Sequence, residues 1–519
     1  MRDLLLGIDV GTSAAKAVAI SLDGHTQGVG QAEYLLHSPR PDHVEQNPED
    51  WWTAVCVAIR RALDGVPSAA DRIAGVAVSS QAPTLLPLDR EGRPLRPALI
   101  WMDRRADAEV DLLKRELGAD RLFEITGNRV DSYYVAAKLL WFSRHEPELL
   151  ARTHQFVQVN GYIVYRLSGD YSLDNGHAGL LSLRDYRRDA WSDELMARCG
   201  LEPRQFPPVQ PGHHILGEVT PAAADVTGLR PGTPVLVGTV DASAAALETG
   251  VIEGGTAAEM TGTSTVLIMS NAGAVTHPAL IAFPHVLTGL NLLVGATVAS
   301  GASLKWFRDQ LGQLEVQAAG DQGRSAFDLL TAQAEAIAPG SGGVVFLPYM
   351  MGERSPLWLT EARGVFFGLS LTTPRAALIR AILEGTSFSL RHNVETARSA
   401  GLELKEIRSV GGGARSLLWC QIKADILGIP IAVPETSTGA PYGDALLVGL
   451  GTGLYPDLTA IIRSVVRIQR TFEPDPSRHE RYSEIYGVYR DLGEHLVADF
   501  KNAASVFGAD RDGDVGAND

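Results

Sequence analysis

The sequence predicts an α/β protein built from two large domains, and three observations support this prediction. The chain has 519 residues, more than one hydrophobic core accommodates. Short β-branched apolar runs alternate along it with longer segments of helical periodicity. A Gly-Thr-Ser loop occurs at residues 11–13 and again at residues 262–264. We place the boundary near Leu247, which gives expected domains 1–246 and 247–508. The Asp- and Gly-rich segment 509–519 is expected to be a disordered tail.

The individual helices and strands follow from local patterns. Asn47-Pro48-Glu49-Asp50 predicts the start of a helix, because Asn caps free amides, Pro suits the first turn and acids favour the positive end of the helix dipole. A segment rich in Pro and Gly, 205–234, precedes the domain boundary. The predicted strands are 73–78, 156–159, 235–237, 344–347 and 407–410, and the predicted helices are 51–63, 303–311 and 375–391.

Composition and charge disfavour several classes of function. The net charge of -15 argues against a surface that binds nucleic acid or anionic membranes. Cys56, Cys199 and Cys420 are far apart and lack the spacing of metal ligands or disulfides, so we expect a reducing compartment. No apolar run approaches the length of a membrane helix, and the first run is too short for a signal peptide. We therefore expect a cytoplasmic protein, with a homodimer left open as its assembly.

The two Gly-Thr-Ser loops predict a site for phosphate. The first follows an apolar run as Asp9-Val10-Gly11-Thr12-Ser13, and the second, Thr261-Gly262-Thr263-Ser264, precedes another apolar run. Glycine lets backbone amides approach an anion closely, and the hydroxyls and amides after it can donate to phosphate oxygens. One such loop alone is typical of an ordinary hairpin turn. A matched pair, one with an aspartate before it, favours a polyphosphate held between two turns.

A third segment places an acid at the end of a strand. The apolar run 235–237 leads to Asp241, and a helix of small residues, 242–247, follows. A carboxylate at the carboxyl end of a strand lies where open α/β sheets bind ligands, which suits a general base. An aspartate before a helix is equally typical of an N-cap, so the residues by themselves leave both interpretations open.

A glycine-rich bend lies between a strand and a helix in the second half. Gly411-Gly412-Gly413-Ala414 follows the predicted strand 407–410. A surface without side chains, beside free amides, could accept a flat base or a ribose. The spacing differs from G-x-G-x-x-G and from the P-loop, so a different nucleotide fold is expected. An isolated bend of this kind is more often merely structural.

Several segments form a signature when they are taken in order from Leu4 to about Leu450. They are Asp9-Val10-Gly11-Thr12-Ser13, Glu45-Gln46-Asn47-Pro48 with Trp51-Trp52, Trp101-Met102-Asp103-Arg104-Arg105, Thr261-Gly262-Thr263-Ser264, Leu347-Pro348-Tyr349 with Gly352-Glu353-Arg354-Ser355-Pro356, Gly364-Val365-Phe366-Phe367-Gly368-Leu369 and Gly411-Gly412-Gly413-Ala414-Arg415-Ser416. As a set they resemble the FGGY carbohydrate kinases, most closely the xylulokinase branch. The resemblance implies an α/β fold of two ribonuclease-H-like domains of the actin/hexokinase type, with a cleft for ATP, Mg²⁺ and a sugar between them.

The resemblance also implies roles for individual residues. Asp241 is implied to be the general base that takes the proton of the sugar hydroxyl, and Asp9 is implied to lie near Mg²⁺ and the phosphates. The residues implied to contact ATP are Gly11, Thr12, Ser13, Thr261, Gly262, Thr263, Gly301, Gly411, Gly412, Gly413 and Ala414. The residues implied to form the sugar side, besides Asp241, are Gln81, Ala82, Pro83, Trp101, Asp103, Arg104 and Asn160.

Departures from the family pattern leave the sugar open. Relatives that act on xylulose tend to have Gln-Met-His where this chain has Gln81-Ala82-Pro83, and Asn160 departs in the same region. Proline removes an imidazole and a backbone N–H, so at least one sugar contact is expected to differ. Xylulose, ribulose, another ketopentose and a polyol all remain candidates.

Two other classes of function, an ATP-binding switch and a dehydrogenase, fit the sequence less well than a kinase. A non-catalytic ATP-binding switch on the same fold would not need both Asp9 and Asp241. A dehydrogenase is disfavoured because no G-x-G-x-x-G pattern follows the first strand.

Overall fold

The computed structural model describes residues 2–435 and 438–508, so the predicted tail 509–519 lies outside the described residues. The strands are β1 Leu4–Val10, β2 Ala14–Ser21, β3 Thr26–Glu33, β4 His37–Arg40, β5 His43–Gln46, β6 Ile73–Ser80, β7 Leu86–Leu88, β8 Ala98–Leu99, β9 Gln155–Val157, β10 Leu173–Asp174, β11 Arg184–Asp185, β12 Ala190–Trp191, β13 Val209–Gln210, β14 Ile215–Glu218, β15 Pro234–Leu236, β16 Thr239–Val240, β17 Thr256–Thr261, β18 Thr265–Asn271, β19 Ile281–Pro284, β20 Asn291–Thr297, β21 Val345–Leu347, β22 Val365–Phe367, β23 Glu406–Val410, β24 Ile431–Pro434 and β25 Ile468–Phe472. The helices are α1 Pro48–Leu63, α2 Ala69–Arg72, α3 Asp107–Leu117, α4 Ala119–Thr126, α5 Val135–His145, α6 Pro147–Arg152, α7 Val159–Ser168, α8 Asn175–Leu180, α9 Asp193–Cys199, α10 Pro221–Thr227, α11 Asp241–Thr249, α12 Gly301–Leu311, α13 Gln313–Gln322, α14 Ala326–Glu335, α15 Arg375–Ser399, α16 Leu417–Leu427, α17 Ala440–Gly451, α18 Leu458–Val465, α19 Pro476–His495 and α20 Val497–Gly508.

The chain divides into two compact units, each assembled from separated stretches. Unit one comprises Met1–Gly254, Ser270–Leu293 and Thr436–Arg467, and unit two comprises Gly255–Met269, Val294–Glu435 and Ile468–Asp519. The predicted boundary after residue 246 falls inside helix α11. Helix α17, late in the chain, belongs to unit one, so residues far apart in sequence meet there.

The sheet of unit one combines a hairpin with parallel strands. Its order is β14-β15-β6-β1-β2-β3, and β16 also pairs with β6. Strand β1 is antiparallel to β2 and parallel to β6, and β16 is parallel to β6. Because parallel strands end at the same edge, the residues that follow β1, β6 and β16 lie together. Ligands of α/β sheets bind at such an edge.

Helices cover both faces of this sheet. Helix α1 packs on β2 and β3, and α17 packs on β1 and β6. Alternate residues of β1 enter separate cores, Leu4, Leu6 and Ile8 on one side and Leu5 on the other, as a strand buried on both faces requires. A Cβ at Gly7 would lie 1.8 Å from Pro441 O, so glycine is what lets α17 pack this closely on β1.

Unit two repeats the same local design. Strand β17 is antiparallel to β18 and parallel to β23, with Met260 opposite Val410. The residues that follow β17 and β23 therefore lie at one edge of the sheet. Helices α15 and α16 pack against each other near the sheet and contribute Phe388, Trp419 and Ile422 to one core.

Most predicted elements occur where their patterns place them. Asn47 caps α1 as predicted, because its side chain accepts a hydrogen bond from Glu49 N. The predicted strand 156–159 ends earlier, at Val157, and α7 begins at Val159. Val159 is buried, and either element would bury it, so hydrophobicity alone could not separate them. Among the described residues, no helix combines the length and apolar character needed to cross a membrane.

Candidate active site

Three parallel strands of unit one end side by side, and the predicted acids lie at their ends. Val10 of β1 is the register partner of Ser80 of β6, which is also the partner of Val240 of β16. The next residues along these strands are Gly11, Gln81 and Asp241. The structure therefore brings the first Gly-Thr-Ser turn, the Gln81 loop and the proposed base to one edge of one sheet.

Burial and neighbouring charges raise the pKa of two carboxylates at this edge, Asp9 and Asp241. Asp9 and Asp241 are each partly accessible, yet the surrounding protein removes much of their hydration. Burial raises the pKa of Asp241 to about 7, and the charge of Asp9 adds to the effect. Burial likewise raises the pKa of Asp9 to about 6, although Ser79 and Lys16 oppose this shift. A carboxylate with a pKa near neutrality suits a general base.

Ser79 and Asp444 also lie at this edge, although neither residue belongs to a motif described in the sequence analysis. Ser79 Oγ lies 2.6 Å from Asp444 Oδ2 and 3.1 Å from Asp9 Oδ1. A hydroxyl has one proton and cannot donate to both carboxylates. Burial raises the pKa of Asp444 well above its usual range, which makes it the protonated partner. The sequence does contain a signal for Asp444, because it is the one acid in the otherwise apolar segment that forms α17.

Asp241 is the first residue of α11, and Val240 occupies the N-cap position. The carboxylate Oδ1 accepts a hydrogen bond from the neighbouring Ala242 N at 2.6 Å. The capping alternative therefore lacks support, because this bond runs to the adjacent residue instead of to the second or third amide of the helix.

The two Gly-Thr-Ser turns leave open space where a side chain would lie. A Cβ at Gly262 would meet no atom within 4 Å, and one at Gly11 would lie 3.4 Å from Ala14 O. Neither glycine has a positive φ. The backbone conformation would thus accept a larger residue at both positions. What glycine provides is room for a group that approaches the amides closely, which fits phosphate.

Among the other glycines predicted to contact ATP, Gly301 and Gly413 are required by close packing and Gly411 by its backbone conformation, whereas Gly412 is open. A Cβ at Gly301 would lie 2.1 Å from Gly262 O, so its absence lets α12 begin against the second turn. Gly413 is similarly close to the side chain of Thr261, at 2.6 Å, and Gly411 has a φ of +84°. At Gly412 the nearest atom would be 3.8 Å away, so this position is open.

A cavity of about 580 Å³ lies beside the second turn, inside unit two. Its size is in the range of small-molecule sites. It combines the amides and hydroxyls of the turn with apolar and aromatic side chains, a mixture that suits a nucleotide. The lining residues are Thr261, Gly262, Thr263, Gly301, Ala302, Leu304, Lys305, Ser325, Phe327, Asp328, Thr331, Gly412, Gly413, Arg415, Ser416 and Trp419. Of the predicted nucleotide residues in this unit, Gly411 and Ala414 are not among them.

The predicted sugar-side residues separate into two groups. Trp101 contacts the first Gly-Thr-Ser turn, because its Nε1 donates to Thr12 Oγ1 at 3.1 Å. Asp103 is fully buried and accepts hydrogen bonds from Arg105 Nε and Val44 N. Arg104 pairs with Asp131. Asp103 and Arg104 therefore hold their own loop together, and a direct contact of either with a sugar stays a prediction.

The remaining sugar-side residues lie close to the strand edge. Gln81 N donates to Val10 O at 3.0 Å, and Asn160 N donates to Ser80 Oγ at 3.0 Å. The peptide between Ala82 and Pro83 is cis, and Ala82 O accepts from Tyr133 Oη at 3.0 Å. These residues surround the end of β6, next to Asp241.

Two family models match the chain over most of its length. The N-terminal domain model of the FGGY family of carbohydrate kinases matches residues 4–248, and the C-terminal domain model matches residues 257–451. The chain belongs to the FGGY family of carbohydrate kinases. The predicted family, the two-domain actin/hexokinase fold and the sugar phosphotransferase class are thereby confirmed, and a dehydrogenase is excluded.

Known relatives of this kinase include more than one activity. It is 29% identical over 510 residues to a xylulose kinase of Bacillus subtilis, covering 97% of this chain and 99% of that protein. A gluconokinase of the same organism is 29% identical over 507 residues, with 97% and 98% covered. The crystal structure of xylulose kinase from Rhodospirillum rubrum matches with a TM-score of 0.88 at 30% identity, covering 96% of this chain and 100% of that one. The kinase is xylulose kinase-like, and similarity alone does not select its sugar.

The resemblance to the family implies Mg²⁺, and the donor atoms of Asp9 fit this ion. Asp9 Oδ1 accepts from Ser79, and the described contacts leave Oδ2 without a hydrogen-bond donor. Mg²⁺ prefers one or two carboxylates together with retained waters and phosphate oxygens. Among the residues described, no three His, Cys, Asp or Glu side chains form a cage that would hold a metal without other ligands.

Proposed function

We propose that this kinase transfers the γ-phosphate of ATP to a hydroxyl of a ketopentose such as D-xylulose, with Asp241 as the general base. The observation that carries the proposal is the position of Asp241 at the sheet edge beside Asp9, with its pKa raised to about 7. Such a carboxylate can take a proton from a sugar hydroxyl near neutral pH.

In the proposed reaction, the sugar hydroxyl gives its proton to Asp241 as its oxygen attacks the γ-phosphorus, and ADP leaves. Phosphoryl transfer requires little covalent help from the protein, so alignment and charge neutralisation dominate. Each open turn, at Gly11 in unit one and at Gly262 in unit two, has room for a phosphate group beside its backbone. Asp9 would hold Mg²⁺, which neutralises phosphate charge when bound.

A kinase for another sugar or polyol is the alternative within the same family. The gluconokinase of Bacillus subtilis is as similar, at 29% identity, as the xylulose kinase of that organism. The Gln81-Ala82-Pro83 segment also departs from the usual xylulose-type loop.

The test measures ADP release from Mg-ATP with a panel of ketopentoses, polyols and gluconate. We expect ADP release that depends on the sugar, fastest with a ketopentose, and its loss in Asp241→Asn. ADP release independent of any sugar would contradict the kinase assignment. Activity of Asp241→Asn near that of wild type would contradict the role of the base.

A further inference from the structure

Gln46, the last residue of β5, forms hydrogen bonds both with the first Gly-Thr-Ser turn, residues 11–13, called the phosphate turn below, and with Gln81 of the predicted sugar-side loop, residues 81–83. Its side chain is buried. Gln46 Oε1 accepts hydrogen bonds from Trp51 Nε1 at 3.0 Å and from Gln81 Nε2 at 2.6 Å. Gln46 Nε2 donates to Thr12 O at 2.7 Å. One amide therefore contacts the Gly-Thr-Ser turn and the residue that follows β6.

The partners of Gln46 allow only one orientation of its amide. An indole N–H can only donate and a backbone carbonyl can only accept, so exchanging the oxygen and nitrogen of Gln46 would break both bonds. Gln81 must then direct its amino group at Gln46 Oε1. The other end of Gln81 is consequently a carbonyl, and this Oε1 is buried without a hydrogen-bond partner in the described structure.

The side-chain amide of Asn160, beside the end of β6, also has a buried carbonyl oxygen without a hydrogen-bond donor in the described structure. Asn160 Nδ2 lies 3.4 Å from Val237 O, and Asn160 Oδ1 is buried without a partner in the described part of the chain. Buried carbonyl groups without a donor are costly and rare in native proteins. Two of them beside Asp241 indicate a ligand that brings hydrogen-bond donors.

We propose that Gln46 is a positioning residue that holds the Thr12 peptide of the phosphate turn and makes Gln81 present a carbonyl acceptor to a substrate hydroxyl. This inference rests on the proposed function, in which the sugar binds next to Asp241. It also specifies the chemical group at this position. The group that meets Gln81 is a neutral hydroxyl and not a carboxylate, because a carboxylate would place acceptor against acceptor.

Two substitutions separate the two contacts of Gln46. Gln46→Glu has nearly the same shape and keeps an acceptor for Trp51 and Gln81, but it loses the donor to Thr12. We expect a KM for ATP about 10-fold higher, with the KM for the sugar within about twofold of wild type. Gln81→Met removes the carbonyl and should give the opposite pattern, a sugar KM about 10-fold higher with the KM for ATP little changed.

A matched control is Asn128→Asp, another exchange of amide for acid at a buried site of unit one. Asn128 Oδ1 accepts from Tyr134 Oη and Ala282 N, and its Nδ2 donates to Ala282 O. We expect a lower melting temperature with both KM values unchanged. Loss of stability alone would therefore not reproduce the two opposite KM patterns.

The outcomes distinguish this inference from the proposed function. If wild type phosphorylates no panel sugar, or if Asp241→Asn stays active, the proposed function fails. If wild type is active and Asp241→Asn is not, the inference is tested by the variants. Parallel changes of both KM values, or no change in either, would overturn it. Should Gln46→Glu fail to fold, the sugar KM of Gln81→Met decides alone.

Discussion

Two carboxylates occupy similar places beside the two Gly-Thr-Ser turns, one in each unit. Asp9 of β1 is the register partner of Ser79 on the parallel strand β6. Glu259 of β17 is the register partner of Ser409 on the parallel strand β23. In both pairs the serine hydroxyl contacts the carboxylate. The backbone design of the two sites is thus closely alike.

The helix packed on each sheet makes the two sites different. In unit two, α16 supplies Lys423, whose Nζ donates to Glu259 Oε1 at 2.5 Å in a fully buried ion pair. In unit one, α17 supplies Asp444, a second acid next to Ser79. Lys423 gives Glu259 a buried counter-charge, whereas Asp9 has a second acid on the other side of Ser79, and burial together with the charge of Glu248 raises the pKa of Asp9 to about 6. The same strand register therefore leaves one carboxylate paired with a cation and the other next to a second acid.

The largest effect is expected from removing the base in unit one. Asp241→Asn keeps the shape of the side chain but cannot accept a proton, so kcat should fall about 10²–10⁴-fold. The measurement is sugar-dependent ADP release, together with a melting curve that shows an intact fold. A folded variant with nearly normal kcat would show that unit one does not supply the general base through Asp241.

Stability should respond differently to changes at the two carboxylates. Glu259→Gln leaves the ammonium of Lys423 buried without its partner, which should cost about 3–5 kcal/mol in the free energy of unfolding. Asp9→Asn relieves repulsion among acids and should not destabilise the protein, although it should weaken the use of Mg-ATP more than sugar binding. Urea unfolding and calorimetry measure both quantities.

The double variant Glu259→Gln/Lys423→Met provides the control for this prediction. It removes the uncompensated charge and should recover most of the lost stability. If Glu259→Gln alone were as stable as wild type, the ion pair would not have the structural role assigned to it.

The pH dependence of the activity should follow the ionisation of Asp241 in unit one. Asp241 must be ionised to act, and its pKa is raised from the usual value to about 7. Activity should therefore rise with pH through neutrality and fall about tenfold for each pH unit below the pKa. A pH profile of kcat/KM for the sugar is the measurement. A flat profile across this range would show that no group with a raised pKa limits the reaction.

The smallest effects are expected at the open glycines of the two turns. Gly11→Ala and Gly262→Ala should both fold normally, because neither position has a positive φ or a blocked Cβ. Each added methyl group should raise the KM for ATP by about threefold to tenfold, the equivalent of roughly 0.6–1.4 kcal/mol. Gly411→Ala should instead lower the melting temperature, since its φ is +84°. Equal losses of stability in all three would contradict the assignment of open space to phosphate.

Several features of this kinase could be predicted from the sequence because their signals are local in the chain. The cap at Asn47, the hairpins around the two Gly-Thr-Ser turns and Asp241 after a short strand each depend on a few neighbouring residues. Backbone preference and hydrophobic alternation act at this range. The combination of these local motifs was enough to predict the family, the fold and the class of reaction.

Only the tertiary structure decided which side chains meet at the sites. Asp444 lies next to Ser79 because α17 packs on β6, and Gln46 meets Thr12 and Gln81 because β5 lies near their turns. Asp103 carries a predicted sugar contact in its motif, yet Arg105 surrounds its carboxylate. The charge that faces a buried carboxylate belongs to a segment far away in sequence. Packing therefore decided that Glu259 lies in a buried ion pair with Lys423, whereas Asp9 shares Ser79 with a second acid, Asp444.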